Sequence, residues 1–517
     1  MRRYLYLGVF FAGCASLAVE MSASRLLGNY YGSSNLVWAI IIGLILIYLS
    51  VGYTIGGKWA DRSPEFSTFF TILAWASLLI GLVPLAARPI LRTASQAFDN
   101  MQVGVMVGAF ISVLALFSLP VTLLGTASPF AVRLALQEKE HSGVVVGKIY
   151  TLSTLGSFLG TFLPVLLLIP AIGTYRTFVA ISAGLMLVTF FCLAMTAGFK
   201  PVLKLAWMPL VLALATFIGL RGFDKQAEGI IYEGESAYNY IQVQEINDYR
   251  MLRLNEGQGI HSIYHPTRDN FNGSWEQVLV APYFNTAPIS PEEVSEIALL
   301  GLAAGTSARE AYQVYPQATI DGFEIDPEIV SVGYDLFHMD VPSLNVYIED
   351  ARWGLSHTDA RYDIISIDAY KPPYIPWHLT TQEFFQQTYD HLSDNGALVI
   401  NVARILDNRR LVDSLYTTIH AVYPSVYVVD IPDTLNSMIF ATRQPTQADN
   451  LIDNYIALSE NPDTPNLLLS TLETAVLNIQ PDPPDGTLFT DDKASVEWIT
   501  NAMILDVFRS NQIEAFQ

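Results

Sequence analysis

Six apolar runs in the first 221 residues, at 4–27, 35–57, 68–91, 102–124, 149–172 and 175–197, are each long enough to cross a bilayer as a helix. A weaker seventh lies at 205–220. The first run is too long for a signal peptide and leads directly into the second, so it reads as a span. Glycine pairs at helical spacing (Gly52 and Gly56, Gly104 and Gly108, Gly156 and Gly160) suit close helix packing. Glu20 and Arg25 fall inside the first run. Charges there are costly, and an ion pair or snorkelling competes with a transport or substrate role.

Charge separates this half from the rest. Residues 1–221 hold 14 Lys and Arg against 6 Asp and Glu, whereas residues 222–517 hold 14 against 43. The first part has a net charge of +8 and the second of −29. Such an acidic part repels nucleic acid and anionic surfaces and attracts cations, beyond the solubility it confers. With the N-terminus inside, cytoplasmic loops hold Arg2, Arg3, Lys58, Arg62, Arg133, Lys139, Lys148, Lys200 and Lys204. The opposite loops hold only Arg88, Arg92 and Arg176. The bias favours a cytoplasmic N-terminus. Seven crossings would then place the acidic part outside, and six with an interfacial seventh segment would place it inside. Cys14 and Cys192 are the only cysteines, and the eight histidines are scattered, so neither a disulfide framework nor a metal site is expected.

From residue 230 the pattern becomes short and alternating. Segments 230–234, 240–245 and 250–254 read as a small β-meander. Strands at 297–302, 319–324, 344–348, 362–368, 397–402, 426–430 and 438–441 then alternate with helices, including one at 381–392. That order predicts an α/β soluble domain with a doubly wound, mostly parallel, Rossmann-like sheet, attached to a multi-pass helical membrane domain. The divisions are 1–221 for the membrane bundle, 222–290 for the β-rich part, 291–445 for the nucleoside-binding domain and 446–517 for a helical tail.

A ligand of such a sheet sits at the carboxyl ends of its strands. Gly301-Leu-Ala303-Ala-Gly305 follows the first strand and lets backbone approach a ligand at a helix N-terminus. Glu324 closes the second strand, where an acid holds ribose hydroxyls, with Ile325 and Asp326 behind it. Asp350 and Ala351 follow the third, and Asp368 ends the fourth. An acid at a strand end also caps helices or faces water. Four such features at successive strand ends point to a nucleoside-bearing ligand.

Residues 230–445 resemble the polyamine aminopropyltransferases, the spermidine and spermine synthases, whose fold is that of class I S-adenosylmethionine methyltransferases. The first half, with Glu20-Met-Ser-Ala-Ser-Arg25, Gly43 and the stretch from Leu49 to Gly57, resembles bacterial membrane-fused spermidine-synthase-like proteins. The resemblance implies that Glu324 binds the donor ribose, that Asp350 contacts adenine and that Asp368 helps deprotonate the attacking amine. A carboxylate suits that last task, because an ammonium must lose a proton before it attacks carbon. The donor implied is decarboxylated S-adenosylmethionine, and the product methylthioadenosine.

The chain departs from the family at the amine end. Ala304 replaces the loop aspartate that grips the donor's aminopropyl amine, and Lys371 replaces a second aspartate. The family's Tyr-His pair corresponds to Trp275-Glu276, and a donor-contacting glutamine to Asn239. Glu276 restores some negative charge, whereas Lys371 opposes a second ammonium. Tyr370, in the aromatic loop after Asp368, is placed to meet an acceptor. Thr490-Asp491-Asp492-Lys493 resembles a motif of the fused proteins, with helix capping as its simplest role and a contact with the active site as the alternative.

Three readings stay open on this basis. The chain transfers an aminopropyl group to an amine, or it methylates a membrane-presented acceptor with intact S-adenosylmethionine, or it transports or senses polyamines without catalysis. The donors are cytosolic, so catalysis implies an inner-membrane protein whose soluble domain is cytoplasmic. The resemblance also implies a homodimer.

Overall fold

The computed structural model describes residues 1–32, 35–98, 102–136, 142–220, 225, 227–255, 259–371, 374–404 and 408–509. The chain divides into two units. Residues 1–227 with 235–240 form one, and residues 228–234 with 241–517 form the other.

In the first unit, seven helices among the described residues are long and apolar enough to cross a membrane. They are built from α1 (Arg2–Tyr31), α2 (Asn35–Arg62), α3 (Phe66–Phe98), α4 (Gln102–Gly125) with α5 (Ala127–Ala135), and α6 (Ser142–Leu163) with α7 (Ile169–Ile172). After these come α8 (Thr174–Ala197) and the pair α9 (Phe199–Leu205) and α10 (Met208–Gly219). The seventh run is therefore broken at Ala206–Trp207. A π turn at Pro164–Leu168 joins α6 to α7. Pro170 has no N–H to offer, so the preceding turn widens.

Glycines let backbones meet. A Cβ on Gly156 would lie 2.0 Å from the Phe10 carbonyl oxygen, and one on Gly160 2.0 Å from that of Cys14. On the other side of the contact, a Cβ on Gly13 would lie 2.3 Å from the Ser153 oxygen. Gly52 and Gly56 meet Thr122 and Thr126 in the same way, so α2 packs on the α4–α5 break. Lipid supplies no hydrophobic drive between helices, and close van der Waals packing takes its place. Gly156→Leu is expected to separate α1 from α6 and cost about 3 kcal/mol or more. Thermal unfolding in detergent checks this, and an unchanged midpoint would count against the packing.

Arg25 is not spent on lipid. Its Nε donates to Glu235 Oε1 at 3.1 Å, and its terminal nitrogens donate to the carbonyls of Tyr238 and Ser236 at 3.0 and 2.6 Å. The Thr174 N–H reaches Glu235 Oε2 at 2.9 Å, and the Thr174 hydroxyl also binds this carboxylate. The charge inside the first helix thus holds segment 235–240, a satisfied partnership of the kind that burial demands.

The second unit begins with an antiparallel sheet in the order β1 (Ile230–Glu235), β2 (Tyr240–Ile246), β3 (Tyr249–Leu254) and β4 (Ser262–Tyr264). Its main sheet holds β5 (Glu296–Leu300), β6 (Thr319–Phe323), β7 (Leu344–Tyr347), β8 (Tyr362–Ile367), β9 (Leu392–Ala403), β10 (Ser425–Asp430) and β11 (Asn436–Thr442). The order is β10-β11-β9-β8-β5-β6-β7, and β11 alone among these strands runs antiparallel. The doubly wound, mostly parallel, Rossmann-like sheet expected from the sequence is thereby shown.

Alternate residues enter two cores. Ile297, Leu299, Ile320, Val399 and Phe440 face one, with Ala308 and Ala311 of α11 (Thr306–Val314). Leu300, Ile365, Ile367, Ile400 and Ile439 face the other, with Phe384 and Phe385 of α14 (Gln382–His391). Strands covered on both faces read as unbroken apolar runs, which is why sequence located them. The remaining helices of this unit are α12 (Pro327–Leu336), α13 (Ala351–Ser356), α15 (Arg410–His420), α16 (Asp449–Ser459), α17 (Asn466–Asn478) and α18 (Val496–Arg509).

Candidate active site

Register brings the strand-end residues to one edge. Leu300 of β5 pairs with Phe323 of β6 and with Ile367 of β8. Gly301, Glu324 and Asp368 each follow those residues by one, so they emerge side by side. Phe323 pairs with Tyr347, which places Asp350 three residues beyond the same edge.

The glycine loop is a left-handed turn: φ is 103° at Gly301, 48° at Ala303 and 81° at Gly305. A Cβ on Gly301 would stand 2.6 Å from the carbonyl of Asp368 and from the nitrogen of Ala369. Glycine is required there by both conformation and space. The loop is tied down from below. The Ala304 N–H donates to Ser262 Oγ at 2.9 Å, and Arg309 donates to the carbonyls of Ala304, Phe337 and Ile263. The methyl of Ala304 is buried in an apolar cluster with Ile241, Val243 and Phe337.

Glu324 is buried, and its two oxygens accept from the backbone N–H of Ala303 and of Asp326, each at 3.0 Å. Burial pushes its carboxyl up to about 7, although those two bonds favour the charged form. Asp326 caps α12, accepting from Glu328 N at 3.1 Å, and Ile325 between them is 38% exposed. An exposed apolar side chain beside a buried acid can offer a flat face to a base while the acid meets a sugar.

Asp350 caps α13 with one oxygen, accepting from Trp353 N at 3.0 Å. Its other oxygen pairs with His378 Nε2 at 2.9 Å, which holds the carboxyl below the usual carboxylate range. Ala351 begins the helix and is buried.

Asp368 accepts from Asn401 Nδ2 through Oδ1 at 2.9 Å. Desolvation pushes its carboxyl up to about 6, against the effect of that bond. A base of that strength is mostly ionised at neutral pH and still takes a proton readily. Tyr370 is anchored behind it, with its hydroxyl donating to Asn401 O and accepting from Ala403 N, both at 3.0 Å.

Other expected residues take different positions. Glu276 is buried and accepts from the N–H of Phe271 and, at 3.0 Å, of Gly273. Burial raises its carboxyl against those bonds. Trp275 stands edge-on to Phe271. Lys371 is exposed and bridges through its backbone to Tyr374, with residues 372–373 outside the described chain. Asn239 lies in the segment that goes with the first unit, where its N–H donates to Ser236 Oγ at 2.9 Å.

Sequence reasoning passed over Asn401 and Arg352, and placed His378 only within the aromatic loop after Asp368, without its contact to Asp350. Asn401 had a signal of its own, as a lone amide inside the apolar run of β9. The other two had none, because their partners lie far away in sequence.

Residues 287–454 match the spermine/spermidine synthase domain. A probable polyamine aminopropyl transferase of Bifidobacterium longum is 30% identical over 296 residues, which cover 54% of this chain and 64% of that protein. The chain thus spans just under two thirds of the length of that relative. A polyamine aminopropyltransferase of Vibrio vulnificus is 28% identical over 294 residues, covering 55% of this chain and 92% of its own. Polyamine aminopropyltransferase 2 of Aquifex aeolicus is 23% identical over 460 residues, 86% of this chain and 89% of that protein. A match that long takes in part of the apolar half as well.

Proposed function

We propose that this chain, whose soluble half carries a spermine/spermidine synthase domain, is a membrane-held transferase that moves an aminopropyl group from decarboxylated S-adenosylmethionine to a small amine. The observation that carries this reading is the row of Gly301, Glu324, Asp350 and Asp368 along one sheet edge, with Asp368 drawn toward a base near pH 6. The backbone of the glycine loop approaches the donor, Glu324 accepts from the ribose hydroxyls and Asp350 meets the adenine.

The chemistry asks little more of the protein. Asp368 takes a proton from the acceptor ammonium, and the freed lone pair attacks the carbon beside the sulfonium. The carbon–sulfur bond breaks with its electrons going to sulfur, which leaves the neutral thioether methylthioadenosine. The protein supplies position and a base.

The amine end is where this chain departs from the pattern of the family it resembles. With Lys371 in place of a second carboxylate, the acceptor is an amine bound mainly through its reacting nitrogen. Donors of this kind are cytosolic, so the soluble half lies on the cytoplasmic side of the inner membrane, with the seventh run, broken at Ala206–Trp207, lying at the interface rather than crossing. The resemblance to the aminopropyltransferases implies a homodimer.

Donor binding supplies the test. Ribose hydroxyls donate to a carboxylate, so they favour the charged form of Glu324. Methylthioadenosine affinity is therefore expected to fall about ten- to thirtyfold between pH 8 and pH 5.5, as a group near pH 7 protonates. Glu324→Gln should bind weakly at every pH and show no such slope. Calorimetry decides it, and a flat profile in the unaltered protein removes Glu324 from the ribose.

A further inference from the structure

The acidic motif near the C-terminus does not cap a helix. Asp491 grips Arg352 of α13 with both oxygens, at 2.8 and 2.7 Å. It also accepts from Thr381 Oγ1 at 2.7 Å, while its own N–H donates to Glu383 Oε2 at 2.9 Å. Two residues earlier, the carbonyl of the buried Phe489 accepts from Gln382 N at 2.9 Å. Arg352 in turn donates to the carbonyl of His378 at 2.9 Å, and the His378 ring holds the free oxygen of Asp350. A continuous chain of contacts thus runs from the tail to the acid at the end of β7.

The same tail holds the loop that follows Asp368. The Tyr374 hydroxyl donates to Asn501 Oδ1 of α18 at 2.8 Å, while Ile375 and Leu379 are buried in the core that contains Phe489. A bidentate arginine–carboxylate pair fixes direction as well as distance. Thr381 is at once the cap of α14 and a ligand of Asp491, so the loop's far end is pinned from two sides.

We propose that Asp491 and Arg352 are positioning residues for the donor's nucleobase: the tail sets the Arg352 guanidinium, which sets His378, which orients Asp350. This rests on the reading of Asp350 as the adenine contact. It assigns the C-terminal tail a role in donor recognition, separate from the deprotonation at Asp368.

The test is a cycle of Asp491→Asn, Arg352→Lys and the reversed pair Arg352→Asp with Asp491→Arg. Asp491→Asn is expected to raise the KM for donor and weaken methylthioadenosine binding about tenfold, with kcat at saturating donor within about twofold. Arg352→Lys keeps the charge, loses the fork and should fall between. The reversed pair remakes the ion pair but leaves the His378 carbonyl without its donor, so it should recover less than half of the loss seen in Asp491→Asn. Unchanged donor KM and nucleoside affinity in Asp491→Asn would overturn the proposal, as would a fall in kcat alone. If the unaltered protein binds no methylthioadenosine, the reading of the site fails. Amide exchange at Leu379 and Thr380 then still decides the tail's part: roughly tenfold faster exchange in Asp491→Asn supports it, and unchanged exchange overturns it.

Discussion

Asp368→Asn should lower kcat/KM for the amine by about a hundred- to ten-thousandfold while leaving methylthioadenosine affinity within a few-fold of its original value. Asparagine keeps the shape of the side chain but takes no proton. The pH profile separates this from a packing effect. With Asp368 near 6, kcat/KM in the unaltered protein should rise with pH through that value, as the ionised form accumulates. At saturating donor, where protonation of Glu324 no longer limits the rate, the limb should vanish in the variant. A rise through pH 6 that persists in Asp368→Asn would assign the base to another residue. Asn401→Leu offers a milder version. It removes the bond that favours the charged carboxylate, so the limb should move to higher pH.

Gly301→Ala should be nearly as damaging for a different reason. One methyl group would have to sit 2.6 Å from the backbone of Asp368 and Ala369, at a φ of 103° that alanine resists. Strain of this kind costs about 1–3 kcal/mol. Relief by moving the loop off β8 displaces both the donor cradle and the base. A displacement of about 1 Å at reacting groups costs on the order of a hundredfold in rate. Activity should therefore fall at least that far, together with a lower unfolding midpoint and weaker nucleoside binding. Gly273→Ala, on the loop that holds Glu276, serves as the comparison. There the nearest atoms belong to the Trp275 side chain, which can swing away. Equal losses at the two glycines would show that the approach of the loop to Asp368 has no special weight.

The legible parts of this molecule are those that one continuous stretch of chain can signal. The central strands β5 and β8 and the second half of β9 are largely apolar because both faces are covered, and turn residues mark the strand ends. Glu324 and Asp368 are therefore found by position alone. The segment Glu276–Phe284 is also apolar, yet it forms a buried 3-10 helix, and no period distinguishes it from a strand. β4 is three residues long, too short to show alternation, although Ser262 within it holds the glycine loop. The N-terminal extension of β9 back to Leu392 runs through Asp394, Asn395 and Gly396, residues that ordinarily mark a turn.

Pairings between distant residues leave no trace in a single sequence. Arg25 reads as a charge in lipid until Glu235 is seen beside it, and Asp491 reads as a helix cap until Arg352 is. Glu276 shows the limit from the other side. Its residue type suggests compensation for a lost carboxylate, whereas both of its oxygens accept backbone N–H groups of the preceding loop.

The reaction itself is the claim on which the rest depends. The full-length protein in detergent, given decarboxylated S-adenosylmethionine and a set of diamines and monoamines, should release methylthioadenosine and an equal amount of an amine heavier by one aminopropyl unit, both read by mass spectrometry. Intact S-adenosylmethionine should give no product, and Asp368→Asn should give little with either donor. Release of S-adenosylhomocysteine with a methylated acceptor, or no product from a protein that still binds methylthioadenosine, would contradict aminopropyl transfer.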